Sequence, residues 1–321
     1  MSGQHPDQLK PLSRALKQRA KEEGFDPVGI ARLPGSPRLQ LRTEALQRWL
    51  DHGYQADMAW MAAPRRRDAS QLLEGVQSLL AVGLNYYVSE ESAPGSLKVA
   101  RYGWGRDYHR VVEQRLRRVG RWLSDQKPNC QWRVCVDASP LLDKVWAEEA
   151  GLGWIGKHSN VIHHHRGSWM VIGHLLTTEP LQADAPAKAL CGRCVACIEA
   201  CPTNAIREPF VVDAQRCLAF HTIENRDPDL PDSIKTSLGP WIAGCDICQD
   251  VCPWNHRDLP SSEDPDMQPR PWLLNVNAQD LQNWDDATWD QQLRGSALRR
   301  IKPWMWRRNA AAAQPDLPPN L

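Results

Sequence analysis

One stretch decides the fold of the central part of this chain: Cys191-Gly192-Arg193-Cys194-Val195-Ala196-Cys197-Ile198-Glu199-Ala200-Cys201-Pro202. Its spacing, Cys-x2-Cys-x2-Cys-x3-Cys-Pro, is that of the bacterial ferredoxin run. A tight loop of this kind can present three thiolates to one face of a four-iron cube, while the fourth cysteine of the run ligates the other cluster in two-cluster ferredoxins. The stretch therefore predicts an iron–sulfur protein.

A second, modified half follows as Cys217 and then Cys245-x2-Cys248-x3-Cys252-Pro253. Two structural zinc sites are the alternative, since zinc also binds Cys-x2-Cys pairs, but zinc does not require a third cysteine and a Cys-Pro in both halves. Eight thiolates suffice for two 4Fe-4S clusters. The crossover rule assigns Cys191, Cys194, Cys197 and Cys252 to one cluster, and Cys201, Cys217, Cys245 and Cys248 to the other.

Two cubes held by crossed ligands in one fold lie close enough for electrons to pass between them. The segment is thus predicted to be an electron relay, and a relay needs an acceptor. The other two cysteines, Cys130 and Cys135, stand apart from this segment, and we expect them to be buried as small apolar side chains.

Composition limits the remaining possibilities. The chain has 321 residues, of which 42% are hydrophobic, and a formal charge of +1. These values exclude a disordered chain and give no overall attraction to nucleic acid. No run approaches the roughly 18 apolar residues of a membrane span, and the polar start lacks a signal peptide. We therefore expect a cytoplasmic protein with no membrane partner, in which ten cysteines do not form a disulfide framework.

Helix and strand patterns alternate without a regular βαβ repeat, and no glycine fingerprint of a dinucleotide or P-loop site is present. An α+β fold is predicted, with a domain over residues 1–180, a ferredoxin-like domain over 181–260 and a short helical tail over 261–321. Ser139 and Pro140 suit the N-cap and first position of a helix. Apolar periodicity predicts helices over 9–25, 39–52, 108–126 and 141–150, and strands over 26–31, 77–84, 131–137 and 169–176.

Several further motifs accompany the cysteines, and together they resemble the epoxyqueuosine reductase family over roughly residues 9–309. The resemblance is specific because it combines separate stretches, whereas the ferredoxin run alone would not be. The matching stretches are Arg101-Tyr102-Gly103-Trp104-Gly105-Arg106-Asp107-Tyr108-His109, Val136-Asp137, residues 147–157, residues 217–224 and residues 245–255.

The resemblance implies a cobalamin-dependent enzyme for the last step of queuosine formation in tRNA. Such an enzyme removes the epoxide oxygen of epoxyqueuosine at the wobble position and leaves an alkene. Family members bind cobalamin in the base-off state in the N-terminal domain, near one cluster. The resemblance further implies a tRNA partner and an external low-potential electron donor, and we expect a monomer.

The family's proposed proton donor corresponds to Asp137. Opening an epoxide requires an electron-rich attacking centre and a proton for the departing oxygen, which a positioned carboxylic acid can supply. The alternative is a strand-end aspartate that helps to cap the next helix. If Asp137 acts as an acid near neutral pH, burial beside the corrin is expected to raise its pKa.

Candidate contacts to the corrin come from the turn and strand after Gly156 and from nearby motifs, although each could be an ordinary loop or capping residue. The histidines between His158 and His174 could bind a metal, but a solvated loop is the preferred interpretation. The segment after Asp107 lacks the glycine of an Asp-x-His-x-x-Gly cobalt-ligating motif, which leaves the function of His109 open. The corrin candidates are Tyr102, Asp137, Lys157, Asn160, Ser168 and Thr222.

A tRNA substrate calls for basic and aromatic surface, since phosphate contacts supply salt-dependent affinity and aromatic planes can stack on unpaired bases. The alternative is a solvated helix face with tryptophans in the core. Near the end of the chain the basic residues are interleaved with Trp304 and Trp306. The candidate tRNA contacts are Arg65, Arg66, Arg67, Arg299, Arg300 and Lys302.

Two other functions compete with this hypothesis. A reductive dehalogenase-like protein would use the same cofactors on small organohalides, but such proteins are typically exported. A ferredoxin-type electron-transfer protein would need few residues beyond its clusters, which the large N-terminal part argues against. Binding of cobalamin would separate an enzyme from a bare carrier.

Overall fold

The computed structural model describes residues 6–314. Its helices and strands alternate irregularly, as the sequence predicts for an α+β chain. Within the described residues no helix is long and apolar enough to cross a bilayer. The helices are α1 Pro6–Glu22, α2 Pro37–Asp51, α3 Tyr108–Gln126, α4 Asp143–Glu149, α5 Ala196–Glu199, α6 Leu218–Ile223, α7 Asp232–Lys235, α8 Ile247–Asp250, α9 Ala278–Gln282, α10 Asp286–Leu293 and α11 Pro303–Ala312; the strands are β1 Val28–Arg32, β2 Ser78–Asn85, β3 Lys98–Val99, β4 Trp132–Val136, β5 Trp154–Ile155, β6 Val161–Ile162, β7 Met170–Thr177, β8 Ile206–Glu208, β9 Val211–Val212 and β10 Trp241–Ala243.

A four-stranded antiparallel sheet, in the order β1-β2-β7-β4, forms the centre of the N-terminal part. Its two inner strands, β2 and β7, pair over eight positions, with Leu80 opposite Leu175. Both strands are buried over almost their whole length, so both faces of the sheet are covered. This double coverage explains why these segments are almost continuous apolar runs without alternation.

Helices α1 and α3 cover one face of the sheet and α4 covers the other. Helix α3 lies very close to β7 at Gly173, where an added Cβ would be only 2.4 Å from Cγ1 of Val112 and 2.9 Å from Cδ1 of Leu116. The glycine therefore permits a close helix–sheet contact that a larger residue would prevent. Cys130 and Cys135 are buried, as predicted.

The predicted start of α4 is wrong. The helix begins at Asp143 with Leu142 in the N-cap position, rather than after Ser139 and Pro140. The intervening residues form an irregular turn that leaves β4 at Asp137, whose φ of +45° is left-handed. The capping pattern therefore predicts the helix two residues too early, because Ser139 and Pro140 belong to this turn and not to the first turn of α4.

The cysteine-rich segment folds onto the N-terminal part instead of standing apart from it. Strand β10 pairs in parallel with β3, with Trp241 opposite Lys98. An isolated bridge joins Leu97 to Val276 in the C-terminal part. The short stretch around β3 is thus hydrogen-bonded to both the cysteine-rich segment and the C-terminal part.

The tail is helical, as predicted, and α11 is anchored by its buried side chains. Trp306 is fully buried, and the side-chain amide of Asn309 donates hydrogen bonds to the carbonyl oxygens of Thr222 and Ile242, at 2.9 and 2.8 Å. These contacts fix the tail against the helix and strand that precede Cys245.

Candidate active site and cluster cavities

The smaller of two neighbouring cavities has a volume of about 180 Å³ and is lined by four cysteines from both halves of the motif. The two halves are brought together by the packing of α5 against α8. Cys194, at the rim, is exposed, and so are the apolar side chains of Leu190 and Val195 beside it. The four cysteines are Cys191, Cys194, Cys197 and Cys252, the same set that the crossover rule assigns to one cluster.

The larger cavity, of about 500 Å³, has the other four cysteines in its wall. Burial, with the charge of neighbouring thiols, raises the pKa of Cys245 and of Cys248 well above the usual range. Burial makes the ionised form of these thiols unfavourable, and coordination of a metal centre would offset that cost. These cysteines are Cys201, Cys217, Cys245 and Cys248.

The rest of this larger cavity combines a broad apolar wall with a few polar groups, which is typical of cofactor sites. Lys144 donates to the side-chain oxygen of Asn160 at 3.0 Å, and Ser168 donates to that of Gln249 at 2.8 Å. Sequence reasoning missed Lys144, which reaches the cavity from the first turn of α4. The apolar and aromatic wall is formed by Tyr86, Tyr102, Tyr108, Met170, Val171 and Ile172.

Three of the predicted corrin contacts, Tyr102, Asn160 and Ser168, line the larger cavity, whereas Asp137, Lys157 and Thr222 do not. Lys157 lies at the smaller cavity, where its ammonium group donates to the carbonyl oxygens of Gly192 and Cys194. Lys157 therefore holds the cysteine loop, and its contact with a corrin stays a prediction.

Thr222 also lies outside the lining of the larger cavity. It is fully buried, its hydroxyl donates to the carbonyl of Leu218, and it accepts the backbone N–H of Gly244. These bonds fix α6 against the residue that precedes Cys245. Thr222 thus supports the backbone behind the cavity and does not line it.

His158 belongs to the histidine group for which a solvated loop is the preferred interpretation, but this is wrong for His158, which is buried in the wall shared by the two cavities. Its Nδ1 accepts the backbone N–H of Asn160, and its buried Nε2 has no hydrogen-bond partner among the described residues. Burial, aided by the charge of Lys144, lowers its pKa to about 4. His158 is therefore a neutral donor whose N–H awaits an acceptor, as a bound cofactor with oxygen or sulfur atoms could provide.

Asp137 lies beside the larger cavity, next to Tyr108 of its wall. Its Oδ2 accepts hydrogen bonds from the hydroxyl of Tyr108, at 2.5 Å, and from Nε2 of His109, at 2.9 Å. Desolvation by the surrounding protein raises its pKa, but these donors and the charges of His109 and Lys144 outweigh it and lower the pKa to about 2. The expected upward shift is therefore wrong for the chain by itself, since the side chains around Asp137 stabilise the carboxylate.

His109 connects Asp137 to a second carboxylate. Its Nδ1 is 2.8 Å from Oδ1 of Asp107, the residue that also caps α3. Desolvation opposes the charged imidazole, but the two carboxylates raise the pKa of His109 to about 9. The Asp-Tyr-His signature thus places Tyr108 and His109 on the same oxygen of Asp137.

The predicted tRNA contacts fall into different environments. Arg66 is buried, donates to the carbonyl of Leu141 at 3.0 Å and lies over the ring of Trp60, so the structure gives it a packing role in place of the predicted tRNA contact. Arg65 and Arg67, its neighbours in the sequence, are exposed.

Near the C terminus, Arg299 pairs with Asp290 and Arg300 pairs with Glu224. The charge of Arg300 also acts on Tyr102 and Asp137, which places this guanidinium close to the candidate site. Lys302 is exposed at the N-cap of α11.

Two of the clustered histidines behave as the preferred interpretation expects, since His164 and His165 are exposed in the turn after β6. His163 is half-buried, and burial lowers its pKa to about 4. His174 is different, because it is completely buried in β7 with its Nδ1 3.3 Å from Asp143. It therefore belongs to the sheet and not to the turn.

Comparisons with known proteins agree with this geometry. Residues 190–255 match the family described as "4Fe-4S double cluster binding domain", and residues 66–138 match the one described as "Epoxyqueuosine reductase QueG, DUF1730". An epoxyqueuosine reductase of Synechococcus sp. (strain CC9605) is 78% identical over the full length of both chains. An epoxyqueuosine reductase of Vibrio cholerae is 39% identical over 96% of this chain and 84% of its own.

A solved structure of epoxyqueuosine reductase with an epoxyqueuosine-modified tRNA-Tyr stem loop superposes with a TM-score of 0.88. It is 27% identical and the match covers 95% of this chain and 81% of that one. The likeness thus extends through the sheet, the double-cluster segment and the C-terminal helices. The chain belongs to the epoxyqueuosine reductase family of oxidoreductases.

Proposed function

We propose that this chain reduces epoxyqueuosine to queuosine in tRNA, with cobalamin bound in the larger cavity and electrons delivered through two 4Fe-4S clusters. The observation that carries the proposal is that one cavity has four cysteines in its wall and Asp137 beside it. An electron source and a proton source therefore meet at one site. The relative solved with an epoxyqueuosine-modified tRNA stem loop supports tRNA as the substrate.

We assign the clusters by the cavities that the cysteines line. Electrons from an external low-potential donor enter at the cluster of Cys191, Cys194, Cys197 and Cys252, because Cys194 is exposed. They pass to the cluster of Cys201, Cys217, Cys245 and Cys248, which adjoins the larger cavity. The crossed ligation of Cys201 and Cys252 joins the two centres through the protein chain.

The residues of the larger cavity fit cobalamin in chemistry. When bound there and reduced, cobalamin supplies the electron-rich centre that the opening of an epoxide requires. Asn160, Ser168 and Lys144 offer polar groups to its amide side chains, and the unsatisfied Nε2 of His158 offers a donor. Tyr102 and the apolar residues of β7 would exclude water from the surroundings of the bound macrocycle.

Asp137 passes a proton to the epoxide oxygen in this proposal. The overall reaction consumes two electrons and two protons, and it converts the epoxide to an alkene and one water molecule. The oxygen keeps the electron pair of each C–O bond as that bond breaks, so it needs a proton at each stage. Within residues 6–314 nothing donates a hydrogen bond to Oδ1 of Asp137, which leaves this oxygen available to the substrate.

Basic side chains around the site are proposed to hold the anticodon stem. Arg300 is the most direct candidate because its charge already acts on Asp137 and Tyr102. Lys302 and Arg299 lie near it in the sequence, and Arg65 and Arg67 form a separate exposed pair. Phosphate contacts from these residues would make binding depend on salt.

The proposal is tested by anaerobic reconstitution with iron, sulfide and cobalamin, followed by incubation with epoxyqueuosine-containing tRNA and a strong reductant. Mass analysis of the digested nucleosides should show the loss of one oxygen atom. The loss should require cobalamin and should disappear in Cys245→Ala, which removes a ligand of the cluster beside the cavity. Reduction that continues without cobalamin would refute the assigned cofactor, and an intact nucleoside with both cofactors bound would refute the substrate.

A further inference from the structure

We propose that His109 stores, as an imidazolium, the proton that Asp137 passes to the departing epoxide oxygen. Asp137 would then touch the substrate but carry the proton only in transit, and His109 would be a positioning residue that acts through it. The destination of the proton rests on the proposed function. The hydrogen-bonded chain itself rests only on described side chains.

His109 lies between two carboxylates, and both of its ring nitrogens are engaged. Nδ1 is 2.8 Å from Asp107 and Nε2 is 2.9 Å from Asp137. A neutral imidazole has one N–H and can donate to only one of these partners, whereas the imidazolium donates to both. The arrangement therefore favours the charged form, in agreement with the pKa of about 9.

Asp137 is unsuited to store a proton for itself. Its Oδ2 accepts two hydrogen bonds, one of them from Tyr108, and donors of this kind stabilise a carboxylate. The side chain is also 56% exposed, so no dry pocket of this chain forces it to be neutral. With a pKa of about 2, it is ionised at neutral pH.

The hydrogen-bonded series Asp107–His109–Asp137 is held in place at both ends. Asp107 also accepts the backbone N–H of His109 at 3.1 Å, which ties the ring to the start of α3. The ring of Tyr108 stacks on that of His109 with centroids 4.0 Å apart. Asp137 keeps its left-handed φ of +45°, an unfavourable conformation for a residue other than glycine, at the point where it meets both side chains.

Other charged groups around Asp107, His109 and Asp137 also keep the proton on His109. Lys144, Arg66 and Arg300 all act on Asp137 and favour its carboxylate form. Arg110 lies 3.7 Å from Asp107 and favours the same form there. The remaining titratable neighbours, Tyr102 and Tyr108, have their pKa values raised by burial and so stay neutral.

When a C–O bond of the epoxide breaks, the oxygen takes the electron pair of that bond and becomes a strong base. Nε2 of the His109 imidazolium gives its proton to Oδ2 of the Asp137 carboxylate. The carboxylic acid so formed turns about its Cβ–Cγ bond and gives that same proton to the epoxide oxygen, so that a neutral imidazole and a carboxylate remain. Solvent returns the proton to His109, whose side chain is 36% exposed.

The storage of the proton is tested by nuclear magnetic resonance of the full, cluster-loaded chain with ¹⁵N-labelled histidine, with His109→Gln used to assign the signal. His109 should keep both ring protons until the pH approaches about 9. In Asp107→Asn and in Asp137→Asn, the pKa of His109 should fall. Titration of His109 near 6.5, its ordinary value, would overturn the proposal.

Its role in the reaction is tested by single-turnover rates of cofactor-loaded enzyme across pH. The rate should fall as the pH rises through about 9, and in Asp107→Asn this alkaline limb should move to lower pH together with the pKa of His109. His109→Gln should lose about 10²- to 10⁴-fold in rate and should lack the limb.

The outcomes separate the two proposals. Suppose that the wild type is active but that, in Asp107→Asn, the alkaline limb of the pH–rate profile does not shift together with the pKa of His109. This result would overturn the role of His109 and leave the proposed function intact. A fully loaded wild type that never reduces the nucleoside would overturn the proposed function, and with it the destination of this proton, whatever the titration shows.

Discussion

The ammonium group of Lys157 donates a hydrogen bond of 2.8 Å to the backbone carbonyl of Cys194. A second bond, of 2.9 Å, goes to the carbonyl of Gly192. A side chain from the turn after β5 thus ties down the loop that carries the first two cysteines of the ferredoxin run. This loop is also exposed, at Cys194 and on either side of it.

Replacing Lys157 by Met should therefore loosen the cluster bound by Cys191 and Cys194. The substitution keeps the length of the side chain but removes both charge-assisted hydrogen bonds, which stabilise by about 1.5–3 kcal/mol each. Loss of iron from this cluster to a chelator should become at least about tenfold faster, as followed by visible absorbance. Lys188→Met, at an exposed lysine nearby in the sequence, is the control. Equal rates in the two variants would contradict the assigned role of Lys157.

In the proposed crossed ligation, Cys252 is equivalent to Cys191 and not to its neighbour Cys248. Cys252→Ala and Cys191→Ala should thus leave the same residual cluster, with about half of the wild-type iron and the same electron paramagnetic resonance spectrum after reduction. Cys248→Ala and Cys201→Ala should share the other spectrum. If Cys252→Ala grouped with Cys248→Ala, the assignment by cavities would be wrong.

Arg300→Gln should weaken binding of an epoxyqueuosine-containing anticodon stem loop. Removal of one phosphate-contacting charge should reduce the slope of log affinity against log salt by about one. Arg121→Gln is the matched control, because this exposed arginine of α3 lies about 20 Å along the helix axis from Tyr108. A slope that is unchanged in Arg300→Gln would show that the guanidinium serves only its ion pair with Glu224.

Gly173→Ala should destabilise the N-terminal sheet, because the added Cβ would meet Val112 at 2.4 Å. Overpacking of this kind costs about 1–3 kcal/mol and should lower the melting temperature by several degrees. The double variant Gly173→Ala, Val112→Ala should be more stable than the sum of the single effects, because the second change makes room for the first. Simple additivity in thermal unfolding would contradict this packing.

Much of the fold could be predicted because apolar periodicity and motif spacing depend on residues close together in the sequence. Helix α3 has the predicted bounds, and the apolar runs of β2 and β7 fall within one residue of the predicted strands. The grouping of cysteines around the two cavities also agrees with the one that the motif spacing predicts. Spacing carries this information because a cluster loop is a local structure.

The side chains that complete the site were harder to predict, because their roles depend on contacts distant in sequence. Lys144 and His158 reach the larger cavity only after α4 and the turn before β6 have folded against β7. Lys157 and Thr222 resemble site residues in the sequence, yet they hold backbone behind the cysteines. Nor could local sequence show that Arg66 is buried, since a run of three arginines is usually solvated.

The pairing of β10 with β3 has a consequence for how such a protein can be rearranged by evolution or by engineering. A ferredoxin-like unit whose strands paired only with one another could be exchanged between proteins as an independent domain. Here the stretch that begins with Leu97 supplies hydrogen bonds to both later segments, so excision of the cysteine-rich portion would leave open strand edges on each side of the cut. The cysteine-rich segment and the N-terminal part therefore share their strand pairing, and neither can be exchanged without the other.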